Sequence, residues 1–297
     1  VNVANDDDVP ACCGPECCSP TPAATPAKRL GRELVQAAYA KVAVGSDRCC
    51  GSAGDVDATA LGIGYTALDL AAVPAGANLG LGCGNPTAVA ELRPGETVID
   101  LGSGAGFDAF LCARRVGPEG HVIGIDMTPE MIAKARRNAA AIGAGNVEFR
   151  EGFIEDIPVA DRRADVVISN CVVNLSPDKP RAIREAFRVL KPGGRLRISD
   201  IATRLPLEDD VREDARAYVA CLGGAITLDG YRSLLESAGF ESIELAVSKS
   251  RTIEDLLASD DPLVQDVASR APRLLAQADN FVSVQVSARR PAAPPND

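Results

Sequence analysis

Ten cysteines, one histidine and no tryptophan set the chemical inventory of this 297-residue chain. Cys171 follows an apolar run, Asp165 to Ser169, and then Asn170, in "ISNCVVNLSPDK". Cys83 sits among glycines in "LGLGCGNP", Cys221 lies in "ACLGGA", and Cys49 and Cys50 are adjacent in "GSDRCCGSAGD". Four more, Cys12, Cys13, Cys17 and Cys18, crowd into "CCGPECC". In a reducing compartment such a set reads as ligands for a soft centre or as redox groups, not as a disulfide framework. Cys112 falls inside a helical pattern and reads as packing, since an isolated buried cysteine behaves as a small hydrophobe. His121 opens the apolar run "HVIGID" and reads as structural, so base catalysis by histidine has no good candidate.

A second constellation is built from glycine and carboxylate. In "VIDLGSGAGFD", Gly102, Gly104 and Gly106 let the backbone turn tightly and approach a ligand. The spacing G-x-G-x-G differs from the dinucleotide pattern and alone is a weak signal. Asp100 before it and Asp126 at the end of the next apolar run sharpen it. A carboxylate at the end of a second parallel strand can accept two hydrogen bonds from ribose hydroxyls.

These groups need a scaffold, and the pattern from Glu96 onward supplies one. "ETVIDLG", "HVIGID", "NVEFREG", "ADVVISN" and "GRLRISD" are short runs rich in Val and Ile. Helical patterns alternate with them. In "TPEMIAKARRNAAAIG", Thr128 stands as N-cap, Pro129 at the first helical position and Gly143 just past the end. "PRAIREAFRVLKPGG" places Ile183, Phe187 and Leu190 on one face and is expected to stop at Pro192 and Gly193. After Asp200 a helical region is expected to about Gly239. "ESIELAVS" and "FVSVQVSARR" then read as two closing strands around a polar helical segment near 252–275. Strands alternating with helices predict an α/β fold with a doubly wound, mostly parallel, seven-stranded sheet. Upstream, a first helix is expected over roughly Lys28–Val42 and a short helical piece near Ala67. Residues 1–27 read as a disordered, Cys-containing tail, 28–290 as one domain and 291–297 as a second disordered tail.

Composition narrows the function. The hydrophobic content of 46% allows a sizeable core, and a mean hydropathy of +0.03 suits a soluble chain. A net charge of -10 and a pI near 4.8 argue against a general nucleic-acid partner. No apolar stretch is long enough to span a membrane. The opening "VNVANDDDVP" lacks a signal-peptide core, so the expected location is cytoplasmic.

"DLGSGAGFD", "GIDMTPEM", "GFIEDIPV" and "RVLKPGGRLRISD" resemble, in order, the motifs of class I S-adenosylmethionine-dependent methyltransferases, which are Rossmann-like. The resemblance implies that Asp100, Gly102, Gly104 and Gly106 lie by the methionine and ribose portion of the cofactor. It implies that Asp126 binds the ribose, Met127 flanks the adenine, Ile154 and Glu155 lie at the adenine edge, and Asn170 faces the sulfonium. More narrowly, "SNCVVNLSPDK", "ACLGGA", "LGCGNP" and the "CCG" at Cys49–Cys50 resemble the arsenite S-adenosylmethionine methyltransferases over roughly residues 30–245. Leu81 stands where that family commonly has an aromatic residue.

The family's chemistry would make Cys83, Cys171 and Cys221 thiolate ligands of a trivalent arsenic substrate, presented as arsenite or its thiol conjugate. It would make Cys50 the redox thiol, with Cys49 open as the alternative. Thioredoxin or glutathione would be the external reductant. Trivalent arsenic is thiophilic, and its lone pair attacks a methyl group with no proton to remove. That suits a chain without a candidate histidine base. Two rivals remain: a small-molecule C- or O-methyltransferase, and a non-catalytic thiol protein that sequesters a metalloid.

Overall fold

The computed structural model describes residues 26–45, 56–248 and 278–293. Cys12, Cys13, Cys17, Cys18, Cys49 and Cys50 lie outside the described residues, as do most of the two expected tails and the expected helical segment near 252–275.

Helix α1 spans Pro26–Val44, followed by α2 (Val56–Gly62) and α3 (Ala67–Ala71). Thr66 caps α3 in a reciprocal capping box with Asp69. The alternating region then runs β1 (Thr97–Leu101), α4 (Phe107–Val116), β2 (His121–Asp126), α5 (Pro129–Ile142), β3 (Val147–Glu151), β4 (Ala164–Asn170), α6 (Lys179–Val189) and β5 (Leu190–Thr203). Short helices α7 (Asp209–Glu213) and α8 (Ala215–Val219) precede β6 (Ile226–Thr227), α9 (Leu228–Ser237), β7 (Glu241–Ser248) and β8 (Phe281–Arg289).

The strands form one sheet in the order β3-β2-β1-β4-β5-β8-β7, with β6 paired to β5 off that path. β8 runs antiparallel to both its neighbours, and the other pairings are parallel. The seven expected strands are present, and the two-residue β6 is an addition. Two further departures have local causes. Helix α6 ends at Val189, short of Pro192, because Leu190 is already extended and pairs with Ala164. The stretch after Asp200 is not continuously helical: β5 persists to Thr203 against β8, and 220–225 is a turn.

Alternation along the strands builds two hydrophobic layers. Val98, Val122, Val166 and Ile168 pack with Ala109, Phe110, Cys112 and Val116 of α4. Ile99, Ile125, Val167 and Ile198 face the other way, onto Ile183 and Val189 of α6 and Tyr231 and Leu235 of α9. Each fully buried large aliphatic side chain stabilises by about 1.5–3 kcal/mol. Cys112 is fully buried in the first layer, as a packing residue should be. β1 lies between β2 and β4, and the chain order reverses there. That opens a crevice at the carboxyl ends of the strands, where open α/β sheets bind ligands.

Candidate active site

The Gly-rich turn follows β1 directly. The N–H groups of Gly102 and Ser103 donate to Ile125 O at 2.7 and 2.9 Å, tying the turn to β2. Gly102 has φ 70°, and a Cβ there would stand 2.2 Å from the Val172 side chain, so only glycine fits. Asp126 at the end of β2 completes the cradle. Its two oxygens accept the Gly104 and Thr128 N–H groups at 2.9 and 2.8 Å. A carboxylate has about four acceptor positions, so two remain for a ligand.

The turn floors a cavity of about 200 Å³, lined also by Met127, Ile154, Glu155, Asn170 and all three cysteines Cys83, Cys171 and Cys221. Helix α1 covers it. Gln36 Nε2 donates to Met127 O at 2.7 Å, and Arg32 stacks 4.5 Å above Phe153 and pairs with Glu155 at 3.4 Å. Arg32, Val35 and Tyr39 line the cavity.

Carboxylates outnumber the Arg32 cation in this cavity. Asp100 is 2% exposed and its Oδ2 has no hydrogen-bond partner. Burial, reinforced by the nearby Asp108 and Asp126 carboxylates, holds its carboxyl well above the usual range. Burial also raises Asp126, against the two backbone donors. Two buried carboxylates, Asp100 and Asp108, the half-buried Asp126 and an orphaned oxygen suit a ligand that brings positive charge and donors. S-Adenosylmethionine, with its ammonium, sulfonium and ribose hydroxyls, fits that description, and the glycine turn leaves it room.

Asn170, at the end of β4, is the hub of a network that the sequence did not reveal. Its Nδ2 donates to Asp108 Oδ2 at 3.1 Å, Tyr65 Oη at 2.9 Å and Gly84 O at 2.9 Å. Tyr65 in turn donates to Asp108 Oδ1 at 2.6 Å. Asn170 Oδ1 accepts the Cys83 N–H at 3.0 Å, joining the cofactor crevice to the first thiol. Burial pushes the Asp108 carboxyl up to about 6, although Tyr65 and Asn170 oppose the shift.

The sign of the resulting pH effect follows from linkage. Between the ordinary value of 3.8 and about 6, the folded chain keeps a proton that the unfolded chain has lost. Stability contributed by Asp108 therefore falls as pH rises through that window and is lowest above it. Asp108→Asn is expected to gain stability relative to wild type between pH 4.5 and pH 7, by about 2 kcal/mol. Urea unfolding across that range checks it, and parallel pH profiles for the two proteins would contradict the assignment.

The three thiols line the same cavity. Cys83 and Cys171 are joined as a disulfide, with Cα atoms 5.5 Å apart. Ser283 Oγ of β8 donates to Cys83 O at 2.6 Å, and Cys171 N donates to Ser199 O at 2.8 Å. The Cys221 thiol donates to Cys171 O at 3.1 Å. Cys221 O accepts Asn174 Nδ2 at 3.2 Å. The tight turn that carries Cys221 needs Gly224, where a Cβ would stand 2.0 Å from Asn174 O.

Both Cys171 and Cys221 adopt left-handed backbone, φ 60° and 65°. For a non-glycine residue this costs about 1–2 kcal/mol, and such strain gathers at functional sites. Cys171→Gly and Cys221→Gly are therefore expected to be more stable than the matching alanine variants by roughly 1 kcal/mol, because only glycine takes that backbone freely. Thermal melts of the four variants decide this. Alanine variants that melt at or above the glycine ones would show the backbone to be unstrained.

The remaining candidates divide cleanly. His121 sits on β2, 3.4 Å from Glu148 Oε1 and away from the cavity. Asp200 was visible only as the acid ending "RLRISD", yet one of its oxygens and the Cys83 and Cys171 sulfurs all lie within 4.8 Å of one another. Tyr65, Asp108, Arg32 and Tyr39 gave no sequence signal beyond Asp108's place after the glycines. Among the described residues, no helix is long and apolar enough to cross a membrane.

Sheet order, glycine cradle and an acidic, thiol-lined cavity define a class I S-adenosylmethionine-dependent methyltransferase. A family model described as a methyltransferase domain matches residues 92–239. An arsenite methyltransferase of Halobacterium salinarum is 48% identical over 88% of this chain and 67% of its own length. One from Aquipseudomonas alcaligenes is 42% identical over 59% of this chain, which spans about half of that relative. The crystal structure of an arsenic(III) S-adenosylmethionine methyltransferase from Chlamydomonas reinhardtii superposes with a TM-score of 0.56 at 29% identity, covering 82% of this chain and 75% of that one. The chain belongs to the arsenite methyltransferase family.

Proposed function

We propose that this protein transfers methyl groups to trivalent arsenic held on Cys83, Cys171 and Cys221, giving methylated arsenicals and so detoxifying arsenite. The observation that carries the reading is the meeting of these three cysteines, from distant parts of the chain, in the cavity floored by the glycine turn. When bound, S-adenosylmethionine supplies an electrophilic methyl on a sulfonium. Asp100 and Asp126 would hold its cationic and ribose ends, Met127, Ile154 and Glu155 its adenine, and Asn170 would stand nearest the reacting end.

The chain's own residues do the rest by ligation and placement. Each thiol displaces one hydroxyl of arsenous acid and releases water, so three exchanges leave a neutral trithiolate. The arsenic lone pair is the nucleophile, and no base is required. Holding it in line can supply about 7–11 kcal/mol of the barrier. Methyl transfer raises arsenic formally by two electrons. A fourth thiolate, Cys50 or Cys49, can return them by attacking a ligand sulfur. A disulfide forms, the As–S bond breaks, and trivalent methylarsenic stays on two thiols. Thioredoxin or glutathione would reset the disulfide. The same reductant is needed before arsenic can load wherever Cys83 and Cys171 are paired, as they are here.

The test is product speciation over time from arsenite, cofactor and thiol reductant. Absence of methylated arsenic would sink the proposal. The rival C- or O-methyltransferase has no use for three cysteines from distant parts of the chain lining one cavity, whereas a thiophilic acceptor does. A passive metalloid sink has no use for a glycine cradle with Asp100 and Asp126.

A further inference from the structure

Asp200 is a fully buried carboxylate beside the thiols, and thiol ligation of arsenic does not require it. Burying a carboxylate is costly, so its retention calls for a reason. Its position is fixed on several sides. Tyr231 Oη donates to Oδ2 at 2.7 Å, and Asn174 Nδ2 and the Ile201 N–H donate to Oδ1, each at 2.9 Å. The Asn174 amide also donates to Cys221 O, so the carboxylate is placed relative to all three cysteines.

Charge bookkeeping shows what such a group does. Arsenic on three thiolates is neutral. As the As–C bond forms from the lone pair, the S–CH3 bond of the sulfonium breaks and leaves a neutral thioether. The positive charge passes from sulfur to arsenic. A fixed carboxylate in a buried site favours that cation without reorganising. We propose that Asp200 is the counter-charge of the arsenic site, stabilising the cationic methylated centre over the neutral trithiolate that precedes it. The inference rests on the arsenite-methylating reading above.

Asp200→Asn keeps the shape and most hydrogen bonds and removes the charge. On reduced protein without cofactor, arsenite affinity should stay within about threefold of wild type, since the bound species is neutral. With cofactor, kcat for arsenite should fall about 10- to 100-fold at unchanged arsenite KM. Wild-type kcat in the variant, or an arsenite affinity that falls as far as kcat does, would overturn the proposal alone. A wild-type protein that makes no methylated arsenic would sink the function and the proposal with it. If Asp200→Asn does not fold, Lys179→Gln decides. Lys179 is a buried cation that feels the Asp200 charge and donates to Asn174 O and Ser176 O. Because Lys179 also helps keep Asp200 ionised, the assay is run at pH 8, where its removal should leave kcat equal or higher, and a tenfold fall or more would overturn the proposal.

Discussion

Cys171→Ser is expected to abolish methylation of both arsenite and methylarsenite, and Cys221→Ser to do the same. An inorganic arsenite centre uses three protein thiolates, but a monomethylated centre has two ligand positions left. Cys171 follows Asn170, which touches the cofactor crevice, and the Cys221 thiol is already aimed at the Cys171 carbonyl. On the proposed reading these two would be the pair that holds arsenic through every step. Cys83 has a different station, on the loop that Asn170 and Ser283 hold by its main chain. Cys83→Ser, and Cys50→Ser or Cys49→Ser for the redox thiol, should abolish or cripple arsenite methylation while sparing methylarsenite. Serine keeps size and removes the soft ligand. Product speciation from each substrate, on variants shown to be folded, is the measurement. Arsenite turnover surviving in Cys171→Ser would return this thiol to the status of a packed cysteine.

Asp126→Ala should weaken S-adenosylmethionine binding by about tenfold to a hundredfold, since charge-assisted hydrogen bonds are worth roughly 1.5–3 kcal/mol each. Arsenite binding to the reduced protein should be unaffected, because the Asp126 oxygens hold the Gly104 and Thr128 N–H groups and not the thiols. Asp126 also fastens the Gly104 N–H. Asp126→Asn, which keeps one acceptor, should therefore lie between alanine and wild type. Calorimetric titration with the cofactor settles this, and unchanged affinity in the alanine variant removes Asp126 from the ribose role.

The cofactor half of the site was legible because its residues are close in sequence. Asp100, the three glycines and Asp126 span a single β-turn-α-β unit, and their spacing carries the geometry. The thiol half was legible only through resemblance, since nothing in "ACLGGA" says that it meets "LGCGNP". The bonds between them were hidden for a physical reason. Tyr65, Asp108 and Asn170 are 43 to 105 positions apart, and each is an ordinary residue in an ordinary element. Nor could the left-handed backbone at Cys171 and Cys221 be foreseen, because glycine is the residue that normally marks it. Asp200 read as a strand-end acid until β5, the "SNC" turn and the Cys83 loop were seen to close around it.

The placement of β8 carries a consequence for the order of synthesis. Residues 281–289 are later in the chain than every other strand, yet β8 sits inside the sheet between β5 and β7, and its Ser283 holds the Cys83 carbonyl. While a ribosome is still making the preceding residues, β5 presents an unpaired edge and the Cys83 loop lacks one of its anchors. A nascent chain can therefore build its glycine cradle, which needs only β1, β2 and β4, before the Cys83 loop has its full set of anchors. Vectorial synthesis leaves the Cys83 loop without its Ser283 anchor until the last strand is threaded home, and a prematurely terminated product would carry an open, adhesive sheet edge.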